Sequence, residues 1–96
     1  MIFARVIGSV VASQKDENLL GKKLLLCRET DSRGDLLEDS YHVAVDAVGA
    51  GEGDAVMICY GSAARMTDTT RDCPVDAVVM AIIDNVQISE TGKGGA

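Results

Sequence analysis

Val48-Gly49-Ala50-Gly51-Glu52-Gly53-Asp54 sets three glycines in five positions between two β-type runs, Tyr41–Val48 and Ala55–Tyr60. Glycine reaches positive φ without a Cβ clash, so such a cluster either turns the chain sharply or brings its backbone close to another surface. A dinucleotide fingerprint needs G-x-G-x-x-G after a strand and opening a helix. Here the sixth position is Asp54, and a strand follows. A phosphate loop needs G-K-[ST] behind the glycines, which is absent, and Glu52 and Asp54 repel a phosphate. The stretch reads as a strand–turn–strand connection, and the chain around it as a series of short strands.

Upstream, Ile2–Ser13 is rich in β-branched residues and apolar on both faces, with Ile2, Ala4, Val6, Val10 and Ala12 on one and Phe3, Ile7 and Val11 on the other. A half-buried strand alternates apolar with polar, so this one expects cover on two sides. Its faint likeness to a signal peptide is broken by Gly8 and Ser9, and it reads as the first strand. Lys22–Thr30 forms the second strand around Leu24-Leu25-Leu26-Cys27. The acidic, Gly34-containing stretch Asp31–Ser40 reads as an exposed loop, with Leu36-Leu37 docking on the body. Tyr41–Val48 and Ala55–Tyr60 are strands three and four.

Downstream, Gly61-Ser62-Ala63-Ala64-Arg65-Met66 offers a Ser N-cap and alanines, hence one or two helical turns. Thr67–Cys73 is a polar loop, and Pro74 suits the start of a short turn or helix through Val75-Asp76-Ala77. Val78–Ile88 is the last strand. Residues 1–90 make a single β-barrel domain, and 91–96 a flexible glycine-rich tail. The fold class is all-β: a small five-stranded OB-like barrel with one or two short helices.

Composition bounds what such a barrel can do. The 96 residues are 47% apolar but only 3% aromatic, so the core is built from Val, Ile, Leu, Ala and Met. A chain this short buries roughly 60–65% of its unfolded surface, a marginal core that association would supplement. The net charge of −6 and scattered basic residues argue against nucleic acid and against an anionic membrane surface. OB barrels that bind single strands use aromatics in a basic groove, and neither is present. No apolar run approaches the roughly 18 residues of a membrane span.

Cys27, Cys59 and Cys73 form no C-x-x-C pair, so neither a metal site nor a cofactor is expected. As reduced thiols they suit a cytoplasmic location. Ser62 with His42 and an aspartate is formally a catalytic set, but Ser62 lacks the G-x-S-x-G context. Cys73 with His42 has no better support. The chain reads as no enzyme.

Val6-x-Gly8-x-Val10-Val11-Ala12, Lys15 and Leu20-Gly21-Lys22-Lys23-Leu24-Leu25-Leu26 resemble the start of bacterial microcompartment vertex proteins of the carboxysome and ethanolamine-utilisation (CcmL/EutN) type. Val45-Asp46-x-Val48-Gly49-Ala50-Gly51-x-Gly53-Asp54 followed by Gly61-Ser62-Ala63-Ala64-Arg65 resembles their central signature, and Pro74-Val75-Asp76-Ala77 with Ile82-Ile83-Asp84 their end. In this order and spacing the pieces are specific, and they span Ile2 to about Ile88. The resemblance implies a homopentamer that caps the vertices of a polyhedral shell otherwise tiled by hexameric shell proteins, with no catalytic residue to carry over. Gly49, Ala50, Gly51, Glu52, Gly53, Ser62 and Arg65 are then expected at a subunit interface or central pore. The alternative is a small OB-type ligand- or peptide-binding module.

Overall fold

The computed structural model describes residues 1–11, 21–65, 67 and 76–89. Five strands, β1 (Ile2–Val10), β2 (Leu24–Thr30), β3 (Leu36–Asp46), β4 (Ala55–Tyr60) and β5 (Ala77–Ile82), close into a barrel in the order β1-β2-β3-β5-β4. β1, β2 and β3 form an antiparallel meander, β5 runs parallel to β3, and β4 lies antiparallel to both β5 and β1. This is the arrangement of five-stranded Greek-key barrels.

The interior follows from period-two alternation. Ala4 and Val6 of β1, Leu25 and Cys27 of β2, Ala44 of β3, Val56 and Ile58 of β4 and Val79 of β5 all point inward and are buried, joined by Ala50 from the glycine turn. A second, smaller cluster lies outside the barrel wall. There Cys59 and Val78 pack with Ala64 of the 3₁₀ helix Gly61–Arg65, and Ala47 and Met80 lean on them. This layer explains why β4 and β5 are apolar on both faces.

Several boundaries differ from those read in the sequence. The helical turn at Gly61–Arg65 is 3₁₀, entered through Gly61 at φ +70°. β3 begins at Leu36, so the acidic segment is no ten-residue loop. The Asp31 carboxylate accepts the N–H groups of Arg33 (2.8 Å) and Asp35 (3.0 Å), which reverses the chain within five residues. Thr30 then pairs with Leu36 and Arg28 with Tyr41, leaving Leu37–Ser40 as a bulge with Asp39 at φ +52°. Leu36 and Leu37 do not dock; both are exposed.

At the other ends, β1 stops at Val10 and Val11 is 93% exposed. β3 ends at Asp46 because its side chain turns back onto the following backbone. β5 ends at Ile82, well short of Ile88: Ile83 donates to the Ala55 carbonyl (2.7 Å) and the chain leaves the wall, with Val86 and Ile88 exposed. Ala77 belongs to this strand rather than to a turn. Pro74, Val75, Cys73, most of the preceding loop and the tail at 91–96 lie outside the described residues. Among the described residues no helix is long and apolar enough to cross a membrane.

Candidate assembly surface

Asp46 organises the glycine turn. Its Oδ1 accepts N–H groups from three successive residues, Val48 (3.0 Å), Gly49 (3.1 Å) and Ala50 (3.2 Å). Converging backbone N–H groups form an anion-binding concavity, and here the chain's own carboxylate fills it. That is the structural reason the glycines are no phosphate cradle. Further along, Asp54 Oδ2 accepts from Gly51 N–H (2.8 Å), and Lys23 Nζ donates to the Ala50 carbonyl (2.9 Å). Gly53 donates to Val6 (2.8 Å) and accepts from Arg5 Nη1 (3.0 Å), which ties the turn to β1.

Of the glycines, Gly49 (φ +79°) and Gly53 (φ +92°) need the left-handed region, whereas Gly51 does not. Glu52 at the tip is exposed, as is Ser62. Ala50 is wholly enclosed by its own barrel, so its side chain faces neither solvent nor neighbour. Arg65 closes the 3₁₀ helix.

The outward face of the meander is the feature sequence reading missed. Cross-strand rows align Val10 with Leu24, Gly8 with Leu26 and Val43, and Arg5 with Arg28 and Tyr41. In each row the side chains oppose the buried Ala4, Val6, Leu25 and Cys27. Tyr41 is 54% exposed and Val43 50%, and the Arg28 guanidinium lies 5.6 Å from the Tyr41 ring centroid. Among the described residues, both margins of this sheet run partly without a paired strand. β3 meets β5 only at Val45 and Asp46, and β1 meets β4 only over Ile2–Arg5. Open edges beside an apolar face are an invitation to pair with another chain. The signal was present in the sequence as Leu24, Leu26, Tyr41 and Val43 at alternate positions, but register alone decides which of the two faces is outside.

The interior polar groups are accounted for. His42 does not meet Ser62: its Nε2 lies 3.3 Å from Glu29 Oε1, and its Nδ1 is bonded to the Tyr60 hydroxyl. Burial raises the Tyr60 phenol pKa, with Glu29, Asp76 and Cys27 adding to the effect. Burial, helped by Asp46, pushes the Cys27 thiol from 9.0 up to about 11, the environment of an inert structural thiol. No three His, Cys, Asp or Glu side chains gather at metal-binding range among the described residues. An open depression of about 420 Å³ near Phe3, Arg5, Arg33 and Asp84 offers one aromatic ring and charges of both signs.

Residues 1–84 match the family described as ethanolamine utilisation protein EutN/carboxysome. The chain belongs to that family. Its relatives include the carboxysome shell vertex protein CcmL of Synechocystis sp., 46% identical over 93% of this chain and 88% of that one. Among solved structures, CcmL of Gloeobacter violaceus superposes with a TM-score of 0.84 at 45% identity, covering 92% of this chain and 90% of the other. The GrpN pentameric microcompartment shell protein from Rhodospirillum rubrum gives 0.79 at 38% identity, covering 92% and 98%. Membership of the EutN/CcmL family thus rests on nearly the whole barrel, including both the glycine turn and the outward meander face.

Proposed function

We propose that five copies of this chain close into a ring that caps a vertex of a bacterial microcompartment shell, with hexameric shell proteins as its flanking partners. The observation that carries this reading is the outward β1–β2–β3 face, apolar and bounded by two different edges that are only partly paired among the described residues, in a chain of the vertex family. A closed ring uses a heterologous interface, in which each subunit offers two distinct patches. The β3 edge with Tyr41 and Val43 is one such patch, and the β1 edge at Gly8–Val10 the other. Burying that area supplements a small barrel core. The function is structural, and no group in it is asked to do chemistry.

The glycine turn, with Glu52 at its tip, and Ser62 with Arg65 on the 3₁₀ helix are read as lining the subunit contact or the central opening. Arg's planar fork suits paired contacts there. Native mass spectrometry at micromolar concentration tests the ring directly. Five subunits are expected for the native chain, and smaller species for Val43→Asp with the barrel's circular dichroism retained. A native chain that runs as a monomer or dimer overturns the reading. Arg65→Ala separates interface bracing from ordinary surface charge: weaker association at low concentration supports bracing, and unchanged association refutes it.

A further inference from the structure

Among the described residues, one side of the barrel wall lacks backbone closure. β5 begins at Ala77, opposite Tyr60 of β4, and contacts β3 only from Val45 onward. Along the preceding part of β3 the wall opens into a recess of about 260 Å³, with Val43 and Ala44 on one side and Tyr60, Asp76 and Ala77 on the other. The Tyr60 side chain crosses behind this gap and bonds His42 Nδ1, their ring centroids 5.7 Å apart at 60°. His42 Nε2 continues the chain to Glu29 on β2 at 3.3 Å. The His42–Tyr60 bond thereby joins β3 to β4, whose backbones do not pair, and Glu29 anchors His42 to β2, the strand already paired with β3.

We propose that Glu29, His42 and Tyr60 form a latch that holds this seam shut, with the imidazole in its Nε2–H tautomer. The tautomer follows from the donors available. An ionised Glu29 only accepts, so Nε2 must donate to it. The single proton of a neutral imidazole is then used, and Nδ1 is left to accept from the Tyr60 hydroxyl. Each bond runs in the same sense, Tyr60 O–H to Nδ1 and Nε2–H to Glu29. No buried side-chain nitrogen or oxygen among the described residues lacks a partner.

The groups facing the latch are Glu29 and Cys27 from β2, Tyr60 from β4 and Asp76 ahead of β5. They favour keeping the phenol protonated. A protonated imidazole keeps the latch with the Tyr60 bond reversed, because Nδ1–H then donates to the phenol oxygen. An ionised phenol opposite an unprotonated Nδ1 releases it.

Two measurements on the assembled native protein test this. Nitrogen-15 NMR of the His42 ring at about pH 9, where an ordinary imidazole is neutral, is expected to show protonated Nε2 and bare Nδ1; the opposite tautomer overturns the latch. Tyr60→Phe keeps the ring and removes only the hydroxyl. Amide exchange at the β3–β5 contact, including Ala47 N–H bonded to Val79 (3.2 Å), is expected to quicken about five- to tenfold, the worth of one net hydrogen bond. The β1–β2 amides should stay within about twofold. Equal acceleration throughout the barrel, or none at the seam, overturns the proposal. The tautomer is read on the native chain, so that arm stands even if the variant folds poorly.

Discussion

Replacing each glycine of the central turn by alanine separates what the turn needs in order to fold from what it needs in order to assemble. Gly49 at φ +79° and Gly53 at φ +92° occupy a region where a Cβ costs about 1–2 kcal/mol. A Cβ at either position meets nothing within 4 Å, so the cost is backbone strain rather than overlap. Gly53 has no route to relax. Its N–H and C=O are both engaged, to Val6 at 2.8 Å and to Arg5 at 3.0 Å.

Gly51 differs: it lies outside the positive-φ region and its Cβ direction is open within the subunit. Gly51→Ala should therefore stabilise the isolated barrel by roughly 0.4–1 kcal/mol, through the lower entropy of its unfolded chain. The gap between Gly53→Ala and Gly51→Ala comes to about 2 kcal/mol, or roughly 8–16 °C in Tm for a domain this size. The assay is thermal unfolding at one fixed protomer concentration, because association itself shifts Tm, paired with native mass spectrometry. If a neighbouring subunit's backbone comes close at the turn, Gly51→Ala or the bulkier Gly51→Val lowers the pentamer fraction while leaving the fold intact. Gly51→Ala proving as destabilising as Gly53→Ala would refute the backbone argument. Intact pentamers from Gly51→Val would refute the close approach.

Two further perturbations address the interior. Asp46→Ala leaves three N–H groups without their common acceptor; two are exposed and find water, so the loss should be about 1–2 kcal/mol, the range of a lost cap. An unchanged denaturant midpoint would show that Asp46 does not hold the turn. In alkali, Cys27 and Tyr60 both keep their protons more firmly in the fold than in the unfolded chain. Their contribution is complete below the ordinary thiol value of 9.0 and is lost as pH climbs through about 11 for Cys27, with Tyr60 following above the ordinary phenol value of 10.0. Tm should fall over that window, and Cys27→Ala should flatten its lower part; an identical slope in the variant would exclude the thiol.

Much of the barrel was legible residue by residue. Alternation in Tyr41–Asp46 and the apolar run Ala55–Tyr60 marked two strands, and the glycines between them marked a turn, because side-chain period and positive φ are local properties. The acidic segment misled because composition reports polarity, not pairing. Leu36–Ser40 looks like a loop, yet the Asp31 carboxylate closes the hairpin early and feeds it into β3. At the far end the apolar alternation of Val78–Ile88 overran the sheet, since among the described residues no neighbouring strand remains for Val86 and Ile88 to pair with.

The candidate site divides along the same line. The absence of G-K-[ST] behind Gly49, Gly51 and Gly53 ruled out a phosphate loop from sequence, and the ordered segments from Val6 to Asp84 identified the family. What only the tertiary structure decided is which acceptor fills the turn, which face of β2 and β3 looks outward, and where the wall lacks backbone pairing. The first depends on the Asp46 carboxylate reaching three amides of its own chain. The second depends on register, in which a slip of one residue exchanges Leu25 and Cys27 for Leu24 and Leu26. The third depends on β5 starting at Ala77, so that among the described residues the link across that point is His42 to Tyr60, with Glu29 holding His42, residues 13 and 18 positions apart that nothing in the linear chain connects.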